Sequence, residues 1–114
     1  MAVLEYAGLS VMTDDEGYLL DSKDWTEKIA CALAEQEGID ELTADRMMII
    51  RFLRSYYEQF NHFPVLHGVC VNVSQERNCM QHRFLDPLKA WKIAGLPKPS
   101  RQVIGYLHGE GGVV

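Results

Sequence analysis

The hydrophobic period of this chain changes once, at Asp21, and that change divides it into a strand-forming segment and a longer helix-forming one. Before it, Val3-Leu4-Glu5-Tyr6 and Leu9-Ser10-Val11-Met12 flank Ala7-Gly8, where Gly8 can supply the positive φ of a tight turn. Thr13-Asp14-Asp15-Glu16-Gly17 makes a second turn, followed by the short apolar run Tyr18-Leu19-Leu20. After Asp21, Ser22 or Asp24 caps a helix in which Trp25, Ile29 and Leu33 share one stripe, and Gly38 ends it. Thr43 caps a longer helix from Ala44 to about Phe60, with Met47, Ile50, Leu53 or Arg54, and Tyr57 along its inner face. Asn61-His62-Phe63-Pro64 breaks it, because the residue before proline is pushed out of the α region.

The second half reads as shorter helices. In Pro64–Val73, apolar Leu66, Val69, Cys70 and Val73 keep helical spacing, while Gly68 and the valines favour a strand; the spacing decides for helix. Asn78–Leu85 and Pro87–Ala94 follow, with Gly95 as the stop. Leu96-Pro97-Lys98-Pro99 cannot continue a helix and runs as an extended arm, and Gly105–Gly112 makes a flexible tail. The expected class is α+β: a small antiparallel β-meander packed on about five short helices, with an extended proline-containing arm. The expected division is a domain over 1–99 and a flexible extension over 100–114.

Charge is segregated along the chain. Residues 1–45 hold twelve of the sixteen acids and two of the eleven bases, so the net −5 conceals an acidic first part and a basic second part. Either the surface is dipolar, with a basic face for an anionic partner, or the two parts neutralise each other across the fold. At 13.0 kDa a folded chain removes about two-thirds of its surface from water, enough for a core without metal or disulfide support. The longest strongly apolar run, Met47–Ile50, is far short of a membrane span, and no secretory signal pattern opens the chain. Three cysteines do not make a secreted framework, and the expected compartment is the cytoplasm.

Few residues carry chemistry of their own. His67-x-x-Cys70 and Cys79-x-x-His82 are two pairs at i, i+3, a set able to hold zinc tetrahedrally, although the connection is short for two helices to converge on one ion. A Cys70–Cys79 disulfide is the second option, opposed by a reducing cytoplasm, and plain packing of the thiols is the third. Cys31, among alanines, reads as structural. No catalytic set or phosphate loop stands out, and neither a metal nor a cofactor is expected. Helix 44–60, its break and the helix from Pro64 have the order of a helix-turn-helix, with Arg46, Arg51, Arg54, Arg77 and Arg83 available for phosphates. Its second helix has no Arg or Lys, and only His67 and Asn72 to read a base, so nucleic acid is a disfavoured partner.

Lys92-Ile93-Ala94-Gly95-Leu96-Pro97-Lys98-Pro99 resembles the signature of the DsrC/TusE family, small sulfur-relay proteins that include the gamma subunit of dissimilatory sulfite reductase. Asp15-Glu16-Gly17-Tyr18-Leu19 with Trp25, and Ile50–Tyr57 with Pro64, resemble its hairpin and central helix, so the likeness covers about residues 3–99. The resemblance implies a meander on a helical array with a mobile C-terminal arm. It also implies a persulfide-carrying cysteine near the arm's end and, in members working with sulfite reductase, another just before the signature. Those positions fall on Gln102 and Trp91, neither of them a thiol; the usual Gly-Pro before the last helix is Asp86-Pro87, and the chain continues past the usual stop. An amide and an indole cannot be persulfidated. The resemblance therefore implies a partner-binding or regulatory relative, with no catalytic residue and with Lys92, Gly95, Leu96, Pro97, Lys98, Pro99 and Arg101 facing a protein such as a sulfite reductase or sulfurtransferase. The alternatives are a persulfide carrier using Cys70 or Cys79 and the helix-turn-helix regulator.

Overall fold

The structure, a computed structural model, describes residues 2–62, 64, 66–76, 78–84 and 86–108. It opens with a hairpin of β1 (Ala2–Tyr6) and β2 (Leu9–Thr13), paired antiparallel in the register Leu4↔Val11 and Tyr6↔Leu9. Both turn residues, Ala7 and Gly8, have positive φ (50° and 82°), the turn whose twist matches that of the strands. Leu4 and Val11 oppose each other on the buried face. The expected third strand of the meander shrinks to a single bridge, Thr13↔Leu19. Asp14 accounts for this: its carboxylate accepts the N–H groups of Glu16 and Tyr18, curling the chain into a tight loop through Gly17.

The first helix starts later than its stripe indicates. Ser22–Asp24 is a separate 3₁₀ turn capped by Asp21, and α1 (Glu27–Gln36) is capped by Thr26, whose Oγ1 accepts the Ile29 N–H at 3.1 Å. Trp25 therefore lies outside the helix and packs elsewhere. At the other end Gly38 takes φ +78°, and the N–H groups of Gly38 and Ile39 close on the carbonyls of Glu35 and Ala34. α2 (Ala44–Phe60) is capped by Thr43 and stopped by Asn61 in the left-handed region, burying Met47, Ile49, Ile50 and Leu53. α3 (Leu66–Asn72), α4 (Cys79–Phe84) and α5 (Pro87–Ile93) fold back on α2, and Val69, Cys70, Cys79, Phe84, Trp91 and Ile93 complete one core with Ile29, Leu33, Ile49, Ile50 and Leu53.

Beyond α5 residues 96–100 form no regular element, and the chain then forms α6 (Arg101–His108), an element within the stretch expected to be a flexible extension. Ser100 begins it: its Oγ accepts the Val103 N–H and its carbonyl accepts that of Ile104. The helix over 101–108 occupies part of the stretch read as an extension, and Gly109–Val114 lie outside the described residues. The charge segregation is resolved as well. Arg51 pairs with Glu27, Arg83 with Asp45, Lys92 with Glu37 and Lys98 with Glu16, each joining the basic part of the chain to the acidic part.

Candidate functional site

The candidate site is the end of α5 and the arm it delivers, and side chains from distant segments fix the point of departure. Asp86, where the resemblance puts glycine, caps α5 by accepting the Leu88 N–H at 2.9 Å, with Pro87 in the first turn. At the far end the Trp25 indole N–H donates to the Ile93 carbonyl at 2.8 Å. Arg54 donates to the Ala94 carbonyl at 2.7 Å and to the Ser22 carbonyl at 3.3 Å, its guanidinium 4.4 Å above the Trp25 ring. These donors satisfy carbonyls that the end of a helix leaves open. Burial pushes the Arg54 guanidinium below its ordinary value, against the opposing effect of Glu58. Gly95, at φ +70°, has no room for a side chain: a Cβ there would stand 2.5 Å from Trp25 Cδ1 and 2.9 Å from Leu19 Cδ1.

Trp91 holds the arm from the other side. It is buried, edge-on to Tyr57 with ring centroids 5.5 Å apart, and its indole N–H donates to the carbonyl of Pro97. A position that the resemblance assigns to cysteine in some relatives is thus occupied by a core side chain that fastens the start of the arm. Gln102 is exposed in the first turn of α6.

The seven residues expected to face a partner divide into two groups. Leu96 is in the core, Gly95 lies against Trp25, and Lys92 is half-buried, with Nζ 3.6 Å from Glu37 and 5.2 Å above the Tyr18 ring. These three shape the arm and present little of themselves to solvent. Pro97, Lys98 and Arg101 are exposed and Pro99 partly so; Lys98 pairs with Glu16 on the loop after β2. Trp25 and Arg54 are the site residues that sequence reasoning missed. Apolar spacing puts Trp25 on the face of the first helix, and the ambiguity between Leu53 and Arg54 on the inner face of α2 is the one available signal.

The other candidates are settled by geometry. Cys70 and Cys79 are bonded to each other as a disulfide and are 1% and 0% exposed. That corrects the zinc reading, since two of its four donors are consumed. His82 lies at the surface with Nδ1 on the Glu76 carboxylate, and the side chain of His67 lies outside the described residues. Among the described residues no group of three or more His, Cys, Asp or Glu is placed to hold a metal. The connection between α3 and α4 is long enough to let the two cysteines meet. In the disulfide both sulfurs are buried and neither is a free thiol.

The helix-turn-helix reading also loses its cations. Arg46 donates to the carbonyls of Arg83 and Glu41, Arg54 to those of Ala94 and Ser22, and Arg51 and Arg83 pair with Glu27 and Asp45. Arg77 lies outside the described residues. α3 buries Val69 and Cys70, and Asn72 donates back to the Gly68 carbonyl at 2.8 Å.

A hairpin on a helical array whose last buried helix launches a clamped arm defines a small arm-bearing α+β domain. Residues 5–103 match the family described as DsrC like protein. The sulfurtransferase TusE of Pectobacterium atrosepticum is 40% identical over 106 residues, covering 85% of this chain and 96% of that protein, and TusE of Yersinia pestis gives the same figures. Among solved structures, the oxidized gamma subunit of dissimilatory sulfite reductase (DsrC) from Archaeoglobus fulgidus aligns with a TM-score of 0.75 at 32% identity, over 87% of this chain and 97% of its own. DsrC of Allochromatium vinosum aligns at 0.69 and 31%, over 86% and 95%. The chain belongs to the DsrC/TusE family of sulfur-relay proteins. No helix among the described residues is long and apolar enough to cross a membrane.

Proposed function

We propose that this chain is a docking member of a sulfur-relay system: it engages a relay protein through its arm without carrying sulfur there. The observation that carries the reading is Gln102. A relay tip works because a thiolate accepts a sulfur atom and a neighbouring thiol or substrate takes it away. Gln102 stands exposed where the family resemblance puts that thiol, and the three cysteines, at 31, 70 and 79, are all remote from the arm in sequence. The surface of the reading is Pro97, Lys98, Pro99, Arg101 and Gln102, set by the buried Gly95 and Leu96 and by Lys92. Its partner is a protein with carboxylates at the contact, a sulfite reductase or a sulfurtransferase. Relatives named sulfurtransferases weigh toward a place in the relay itself and away from regulation or DNA binding. The reading keeps the expected cytoplasmic compartment.

Two measurements test it together. Immobilised full-length protein and its Lys98→Glu/Arg101→Glu variant are each offered a purified relay sulfurtransferase and a purified sulfite reductase. The wild type should retain one of them and the variant at least tenfold less; equal retention by both, or by neither, ends the docking reading. Separately, incubation with a cysteine desulfurase and cysteine should leave the intact mass unchanged. A gain of one sulfur atom on Cys70 or Cys79 would restore the carrier alternative.

A further inference from the structure

Outside the arm, one pair of groups has chemistry that the docking reading does not use. Cys70 on α3 and Cys79 on α4 are bonded across a sequence separation of 9, with Cα atoms 5.7 Å apart. We propose that this pair is a redox-switched staple: oxidised, it ties α3 to α4 and holds both against α2; reduced, it leaves them attached by packing alone.

The surroundings suit both states. Cys70 and Cys79 belong to one buried core with Val69, Val73, Met80 and Phe84. A disulfide there leaves no polar group unpaired, and a reduced cysteine is a small hydrophobe that packs in the same space. The two states therefore differ in tethering more than in core composition. Tethering matters because α3 has seven residues and α4 six, each too short to persist without tertiary support. The connection between them leaves α3 through Ser74 at φ +56°. Its non-covalent anchors are Gln75, which donates to the Asp45 carbonyl at 2.9 Å, and Arg83, which reaches Gln75 at 3.3 Å and the Asp45 carboxylate at 3.1 Å. Those anchors keep the reduced state folded, so the switch acts on local opening. α4 also packs against α5, the helix that carries the arm.

The oxidant is a small molecule with a sulfur–sulfur bond. One cysteine thiolate, exposed when α4 opens, attacks that bond to give a mixed disulfide, and the second cysteine displaces the remaining group. With an organic disulfide the balance is two protein thiols in, one protein disulfide and two small thiols out. With an organic persulfide, initial sulfur transfer to the protein is followed by release of hydrogen sulfide, so the products are one thiol and one sulfide. A dithiol reductant reverses the step and leaves as its own disulfide.

The test uses the full-length protein. Reduced protein is treated with oxidised glutathione or with glutathione persulfide, and products are counted by thiol and sulfide assays with Cys31 as the internal free-thiol control. Amide hydrogen exchange is then followed by mass spectrometry in both redox states. The proposal expects Cys70 and Cys79 to lose alkylation together, and two thiols in the first arm against one thiol and one sulfide in the second. It also expects exchange over 66–84 to quicken on reduction by on the order of tenfold to a hundredfold while 44–60 is unaffected. Oxidation by one reagent alone identifies the oxidant. Oxidation by neither, or identical exchange in the two states, overturns the proposal. The Cys70→Ser/Cys79→Ser variant should match the reduced profile, and the wild-type comparison stands without it if that variant fails to fold. Partner retention is read in neither arm, so the docking reading can fail without affecting this result.

Discussion

At the scale of single residues, the arm's position depends on groups that leave no alternative. Gly95 needs both a positive φ and the absence of a Cβ, because Trp25 and Leu19 occupy the space. Gly95→Ala should cost about 2–4 kcal/mol, combining the left-handed penalty with overpacking, and a denaturant titration measures it. A cost below about 1 kcal/mol would mean that Trp25 moves aside easily and does not clamp the arm. Tyr18 offers a pH-dependent check of the same neighbourhood. Burial first, and then the negative charges of Glu16, Asp14, Glu37 and Asp86, push its phenol from 10.0 up to about 12. Below pH 10 both folded and unfolded chains keep the proton, so this group adds no pH dependence. Between pH 10 and 12 the unfolded chain loses the proton that the folded chain retains, so stability falls with rising pH, by roughly 2–3 kcal/mol across the window. Tyrosinate absorbance should show a late ionisation, and Tyr18→Phe should remove both that step and that part of the decline.

At the scale of elements, boundaries are set by hydrogen-bond acceptors more than by apolar spacing. The stripe through Trp25, Ile29 and Leu33 fits a helix begun at Ser22 or Asp24, yet Thr26 caps α1 and Trp25 turns away to the Ile93 carbonyl. Periodicity reports which residues are compatible with a face; it does not report where the first N–H groups find an acceptor. Thr26→Ala should therefore lower stability by about 1 kcal/mol and Ser22→Ala by much less, as read from thermal melts. The reverse order would reinstate the cap at Ser22. α2 shows the favourable case: Thr43 at one end and Asn61 before Pro64 at the other are strong enough signals to place both boundaries from sequence. α6 shows the opposite. Gly105 and the glycines after it lower helix propensity, whereas the Ser100 cap starts a helix nonetheless.

At the scale of the whole molecule, the two charge blocks serve cohesion. The ion pairs that join them are mostly exposed and individually weak, but they leave the arm's Lys98 tied to Glu16 on the loop after β2. The helix after the arm, α6, lies against α5, with Val103 and Ile104 half-buried. Removing residues 101–114 should cost only about 1–2 kcal/mol, and a melt that instead shows global unfolding would make α6 part of the core. Sequence by itself determined the α+β class, the hairpin, the span of α2, the glycine stop after α5 and the absence of a thiol at position 102, because each rests on local spacing, one special φ or the identity of one residue. Tertiary structure alone decided that Trp25 and Arg54 clamp the arm, that Trp91 fastens Pro97, that Cys70 meets Cys79 and that the basic and acidic blocks pair. Those contacts join residues far apart along the chain, and only the packing of the core brings their partners within bonding distance.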